Sequence, residues 1–209
     1  IRADHPLMLT DLPASSGLES LAPYIQSTAL VAANGRIQPV EMTGVEAGSY
    51  SRVSRVEDYL RAGSLADLEE KNFTIIIGAK LAQHLEVGVG EDLVLMLPNS
   101  QISIAGAIAR QRRFEIIGVF ESQSQLDGSG VFVSLRSAQL LLRMRGQIHG
   151  FQGRLTDLFA IYDARQFLEQ AVTAERLFVR SWMSTHGNLY QAVAVQKVTM
   201  FILFSFLVA

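Results

Sequence analysis

The chain has 209 residues, of which 49% are hydrophobic, enough for one large domain or two small ones with a sizeable core. The net charge of −2 supplies no general field for nucleic acid, and the absence of cysteine excludes disulfides and thiol chemistry. The charge is unevenly spread. Residues 1–97 carry seven Lys or Arg against thirteen Asp or Glu, whereas residues 98–209 carry eleven against seven. The excess positive charge is mostly arginine, at Arg110, Arg112, Arg113, Arg136, Arg143 and Arg145.

In chain order, Ile1–Leu9 contains Pro6 and reads as a short edge strand. Pro13-Ala14-Ser15-Ser16-Gly17 is a turn cluster, and Ser16 is placed to N-cap a short helix holding Leu18, Leu21 and Ile25. Ser27–Ala33 and Arg36–Val45 are apolar runs joined by Asn34-Gly35, the strongest short hairpin signal. Ala47-Gly48-Ser49-Tyr50 breaks that pattern. Val56–Ala62 reads as a helical turn or two, closed by Gly63.

Phe73–Ile77 is a buried strand by composition, and Gly78 opens a helix with Leu81 and Leu85 one turn apart. A Gly-rich turn leads to a strand over Asp92–Leu97. Further strands are predicted over Arg113–Phe120, Gly130–Leu135, 149–155 and 176–180. Ser137–Met144 and Ala164–Ala174 read as helices. Short strands and helices alternate, with more strand in the middle and no repeat of 20–50 residues. The pattern is that of an α+β domain with a mostly β insert.

No motif supports catalysis. The four histidines stand far apart, none at ligand spacing, so no metal site is expected. There is no G-x-S-x-G elbow and no P-loop, and "GVGED" does not match a dinucleotide fingerprint. Ser129, within Asp127-Gly128-Ser129-Gly130, reads as a turn serine.

Two stretches resist a bland reading. Pro98–Ala109, "PNSQISIAGAIA", is longer than a minimal hairpin turn and apolar at Ile102, Ile104 and Ile108. Gln111, Arg112 and Arg113 follow at its foot. Either it is a plain long hairpin, or it is an apolar arm above a basic base that engages a partner. The second stretch is "WMSTHGNLYQAVAVQKV", a helical stalk by its spacing. It runs into Val198–Ala209, twelve residues that are apolar on every face. One reading of that run is a buried C-terminal helix. The favoured reading is the start of a transmembrane helix, which needs roughly 20 apolar residues. Trp182, Tyr190 and Lys197 then couple the stalk to the membrane, the last two near the interface.

Three segments, "IIIGAKLAQHLEVGVGEDLVLMLPNS", "FEIIGVFESQSQLDGSGVFVSLRSAQLLL" and "SWMSTHGNLYQAV…KVTMFILFSFLVA", resemble the periplasmic domain of the LolC/LolE family. These are permease subunits of lipoprotein-releasing ABC transporters, within the wider MacB-type class. The resemblance implies a MacB-like periplasmic core of β-α-β units with a β-rich inserted subdomain. The corresponding division is 1–75 for the N-terminal part of the core, 76–145 for the insert with its projecting hairpin, 146–192 for the C-terminal part and stalk, and 193–209 for the start of a transmembrane helix. The chain would lie between the first and second spans of its parent, in the bacterial inner membrane, facing the periplasm.

The resemblance also implies partners: a LolA-like periplasmic lipoprotein carrier, a partner permease subunit, a separate cytoplasmic ATPase subunit, the lipoprotein substrate and the membrane. It implies no cofactor and no catalysis by this segment. In the LolC type a β-hairpin hook grips the carrier. By that analogy Pro98, Asn99, Ile102, Ile104, Ile108, Gln111, Arg112 and Arg113 form the carrier hook and its base. Val94 stands where a basic residue is expected, and "PNS" and "SQLDGS" match the LolE type equally, so the subunit type stays open. Two rivals remain: a MacB-type export permease domain that binds no lipoprotein carrier, and a soluble β-rich binding module or small enzyme with a buried C-terminal helix.

Overall fold

The computed structural model describes residues 12–13, 16–98, 102–103, 106–107, 110–157, 160–171, 179–180, 196 and 200. These fall into two units, one formed by Ile1–Ala14 and Leu18–Thr156, the other by Ser15–Gly17 and Asp157–Ala209. The expected edge strand over Ile1–Leu9 lies outside the described residues, as do Trp182, Tyr190 and Lys197. Of the tail 193–209 only Gln196 and Met200 are described, and both are helical. Among the described residues no helix is long and apolar enough to cross a membrane.

The larger unit contains β1 (Leu18–Ala33), β2 (Arg36–Val45), α1 (Ala47–Val53), β3 (Leu60–Ala62), α2 (Asp67–Glu70), β4 (Thr74–Gly78), α3 (Ala79–Leu85), β5 (Asp92–Leu97), β6 (Ile102–Ser103), β7 (Gly106–Ala107), β8 (Arg110–Phe120), α4 (Leu126–Ser129), β9 (Gly130–Ser134), α5 (Leu135–Leu142) and β10 (Gly150–Leu155). The smaller unit contributes α6 (Ile161–Ala171), on whose surface Arg165 pairs with Glu169 one turn on, at 2.7 Å.

Local chemistry sets several of these boundaries. Asn34 and Gly35 have φ values of 50° and 74°, the two positive angles that a type I′ hairpin requires, and Ala33 pairs with Arg36 across it. The Asn34 amide also donates to the carbonyls of Leu85 at 3.1 Å and Glu86 at 2.8 Å, tying this turn to the end of α3. Ser134 caps α5 by accepting from the Ser137 N–H at 3.2 Å. Arg143, at φ 58°, ends that helix in the left-handed conformation.

The strands of 18–155, other than β6 and β7, form one sheet in the order β10-β1-β2-β9-β4-β8-β3. β5 pairs with both β1 and β8, so the pairing closes into a ring, β1-β2-β9-β4-β8-β5. Two of its joints, β2–β9 and β4–β8, are parallel; the others are antiparallel. The inner face carries Ile25, Val31, Met42, Ile75, Leu93, Leu95, Phe114, Ile116, Val131 and Val133, with Leu81 and Leu85 of α3 and Leu141 of α5 in the same cluster. Phe73 meets Phe114 edge-on, ring centres 5.5 Å apart. A second cluster lies on the outer face. There Val45, Ile76, Phe120 and Phe132 are covered by Ala47 and Tyr50 of α1, by Leu65, and by Leu68 of α2.

The structure corrects several expectations. The helix expected to follow Ser16 is instead the long strand β1. Its apolar spacing at Leu18, Leu21 and Ile25 imitates a helical period because β1 is buried on both faces. Ala22 enters the outer cluster and Ile25 the inner one. Hydrogen bonds to β10, β2 and β5 then decide for strand. The expected helical turns at Val56–Ala62 are a 3-10 turn over Val56–Tyr59 followed by β3. The helices expected at Ser137–Met144 and Ala164–Ala174 begin earlier, as α5 and α6. The strand expected from Arg113 starts at Arg110, because β5 offers partners up to Leu97. Of the strand expected over 176–180, only Val179 and Arg180 are described, and neither is in a strand.

Candidate functional site

The stretch between β5 and β8 is a hairpin. β5 and β8 pair from Asp92 with Glu115 to Leu97 with Arg110. Beyond that ladder β6 and β7 form a separate two-stranded ladder, Ile102 with Ala107 and Ser103 with Gly106. Four residues, 98–101, connect the two ladders on one side, and two, 108–109, on the other. Pro98 is exposed at its foot. Ile102 has its backbone in β6, while Asn99, Ile104 and Ile108 lie outside the described residues.

Gln111, Arg112 and Arg113 are all exposed, but they do not form one patch. Side chains alternate along a strand. Arg112 lies opposite Leu95 and Arg110 opposite Leu97, on the face that carries the inner core. Two residues before the core residue Phe114, the Arg112 guanidinium lies 5.7 Å from the centre of the Phe73 ring. Arg110 donates to the Leu142 carbonyl at 3.2 Å, at the negative end of α5. Gln111 lies opposite Met96 and Arg113 opposite Val94, on the outer face.

That outer face extends beyond the arm. Leu30 pairs with both Pro39 and Met96, and Ala32 with both Ile37 and Val94. Two rows therefore cross four strands side by side: Pro39, Leu30, Met96, Gln111 and Ile37, Ala32, Val94, Arg113. Ile37 is 59% exposed and Leu30, Ala32, Val94 and Met96 are half-buried. The result is an apolar strip bounded at the β8 edge by an amide and a guanidinium. Asp92 lies 3.4 Å from Arg113, and Glu115 pairs with Lys71, its hydrogen bond and charge raising the lysine pKa. Sequence reading missed the contribution of the β1–β2 hairpin. The outward alternation of Leu30 and Ala32 with Ile37 and Pro39 carried the signal.

A second polar feature sits in the Ser122–Ser129 stretch. Asp127 is completely buried, and its Oδ1 accepts from the Ser122 N–H at 2.8 Å and hydroxyl at 2.7 Å. Oδ2 has no partner among the described residues. Burial pushes this carboxyl up. Hydrogen bonds from Ser122 and Gln123, with the charge of Lys80, outweigh that and hold it below the ordinary aspartate value. Ser129 donates to the Gln125 carbonyl at 3.3 Å, within the turn of α4. Among the described residues no group of three or more acidic or histidine side chains is placed to hold a metal ion. What the arrangement offers is contact chemistry: an apolar strip, hydrogen-bond donors at one edge and a separate two-stranded ladder between β5 and β8.

The family model of the MacB-like periplasmic core domain matches residues 3–176. The chain belongs to that family, and its mixed α and β fold is the one expected from the sequence. It is 31% identical over 189 residues to the lipoprotein-releasing system transmembrane protein LolC of Xylella fastidiosa, covering 90% of this chain and 45% of that protein. It is 27% identical over 194 residues to LolC of Neisseria meningitidis, covering 92% and 47%. It is 22% identical over 186 residues to LolE of Haemophilus influenzae, covering 88% and 44%. The chain thus spans about half the length of the curated relatives it matches. Among solved structures, the extracellular domain of the ABC-type transporter YknZ of Gram-positive bacteria superposes with a TM-score of 0.51 at 15% identity. That match covers 75% of this chain and 78% of that one, and it bears on the fold alone.

Proposed function

We propose that the chain is the periplasmic part of a permease subunit of a lipoprotein-releasing ABC transporter in a bacterial inner membrane. The observation that carries this reading is 31% identity, over 90% of the chain, to a protein named for lipoprotein release. In this reading the subunit works with a partner permease subunit and with a separate cytoplasmic ATPase, and this segment performs no catalysis. The stalk through Trp182 and Tyr190 passes movement from the membrane to the sheet, with Lys197 at the interface. The division at 75, 145 and 192 follows the same plan.

The physical task is the removal of an acylated protein from the bilayer. Exposing an acyl chain to water costs roughly 0.8 kcal/mol per methylene, so a multiply acylated anchor does not leave unaided at a useful rate. A docked carrier with an apolar cavity shortens the exposed path. The hairpin arm from Pro98 to 109 grips that LolA-like carrier through Asn99, Ile102, Ile104 and Ile108. Gln111 and Arg113 orient the carrier through hydrogen bonds and charge at the arm's foot. Arg112, stacked on Phe73, braces that foot from the opposite face.

The test uses the full-length protein assembled with its ATPase and partner subunits. Carrier retention is compared between wild type and a variant in which 102–108 is replaced by an Asn-Gly turn. Wild type is expected to retain the carrier and the turn variant to lose it, with ATP turnover unchanged. Absence of retention by wild type removes the docking role. ATP-driven export of another solute, with no lipoprotein release, replaces this reading with the export permease.

A further inference from the structure

We propose that a cavity at the end of α5, remote in sequence from the arm, is a binding site for a phosphate group. The cavity has a volume of about 540 Å³ and is lined by Arg136, Gln139, Leu140, Arg143, Arg145 and Gly146. That volume lies within the range of small-ligand pockets, roughly 300–1,000 Å³.

The charges on its wall serve no evident structural need. The stretch 128–156 contains four arginines and no Asp or Glu. Among the described residues, Arg136, Arg143 and Arg145 take part in no ion pair, as is also true of Arg52, Arg110, Arg112 and Arg180, whereas Arg36, Arg55, Arg61, Arg113, Arg154 and Arg165 each do. Arg136 lies in the first turn of α5, where the helix dipole disfavours a cation. The C-terminal carbonyls of α5 already have Arg110, bonded to Leu142, so Arg143 and Arg145 are not required there.

The wall is held in place. Arg136 and Leu140, at i and i+4, share one side of α5. The left-handed Arg143 turns the chain back, and the Met144 N–H bonds the Gln139 carbonyl at 2.9 Å. The Gln139 amide donates to the Gln147 carbonyl at 3.0 Å. Three arginines line the same concavity, and each guanidinium presents a planar fork of donors suited to phosphate oxygens. Leu140, 51% exposed among them, supplies an apolar neighbour for whatever the phosphate esterifies. The group can come from free phosphate or from a phospholipid headgroup.

The experiment titrates the full-length protein, in a neutral maltoside detergent, with inorganic phosphate and with a soluble short-chain phosphatidylglycerol, by calorimetry. Wild type should bind at least one of them saturably. The Arg143→Gln, Arg145→Gln double variant should bind at least about tenfold more weakly, as expected for lost charge-assisted hydrogen bonds. The Arg61→Gln control, altered elsewhere on the sheet, should match wild type. Tighter binding of the lipid, with the gain removed by Leu140→Ser, assigns the site to a headgroup. Equal binding of the two probes, unaffected by Leu140→Ser, assigns it to free phosphate. No saturable binding of either probe overturns the proposal, as does equal affinity in the double variant. An oligo-glutamate peptide that binds more tightly than both probes also overturns it, in favour of an acidic protein partner. Carrier retention is measured separately, so failure here leaves the transport reading untouched.

Discussion

Leu95→Ala tests whether the arm is rooted in the core or hangs from a detachable edge. Leu95 is completely buried on the inner face, opposite Val31 on one side and Arg112 on the other. Removing its outer carbons forfeits about 2–2.5 kcal/mol of transfer free energy. The space left between two fixed strands adds a cavity term, for a total of about 3–4 kcal/mol. With a urea slope of about 2 kcal/mol per molar, the unfolding midpoint should fall by about 1.5–2 M. Val94→Ala, one residue away but on the half-buried outer face, should cost less than about 1 kcal/mol. The assay is urea unfolding followed by circular dichroism at strand wavelengths, on wild type and both variants. Equal small losses for the two substitutions would show that β5 does not close the ring and that the inner face is misassigned.

Gly78→Ala should be far more damaging than Gly88→Ala. A Cβ on Gly78 would lie 2.3 Å from the Asp127 carbonyl oxygen and 2.6 Å from its Cα, whereas nothing lies within 4 Å of one on Gly88. Forcing α4 away costs about 2 kcal/mol or more, which lowers the melting temperature by roughly 5 °C in a chain of this size. Equal melting of the two variants refutes the close approach. Asp127 should also leave a signature in acid. Its folded pKa lies below the ordinary aspartate value, so its stabilising contribution is complete above the unfolded value of 3.8 and disappears as pH falls through the lower, folded one. The stability gap between wild type and Asp127→Asn should therefore narrow below that pH in urea titrations. A gap independent of pH refutes the charged hydrogen-bond network.

The legible parts of the fold were those whose causes are local. Asn34-Gly35 announces its hairpin because the two positive φ angles belong to those residues themselves. β4, β5 and β9 are short apolar runs bounded by glycine or a cap, and α3 and α5 have their start signals at Gly78 and Ser134. β1 was misread because its strand character comes from distant partners: β10 more than a hundred residues on, β5 more than sixty. Ring closure was hidden for the same reason, since the β2–β9 joint links Met42 to Val131. Hydrophobic period reports burial on one face, and a strand buried on both has none to report.

The candidate site shows the same division between local and global information. An exposed basic run beside an apolar arm is visible in Gln111-Arg112-Arg113, but adjacency in sequence is not adjacency in space on a strand. The pleat sends Gln111 and Arg113 to the apolar strip of Leu30, Met96 and Val94, and Arg112 to Phe73. Each strand at the arm's root is hydrogen-bonded along both edges, β5 between β1 and β8, β8 between β5 and β4. Leu97 and Leu95 on the inner side of that root are core residues. A load applied at the last ladder pair, Leu97 with Arg110, thus meets packed sheet with no intervening hinge. From there it reaches β4 and β9, and through Ile76 and Phe132 the cluster beneath α1 and α2. A contact at the arm's foot is in this way mechanically continuous with the far wall of the ring, the property a domain needs if it is to hold a partner while being moved from the membrane side.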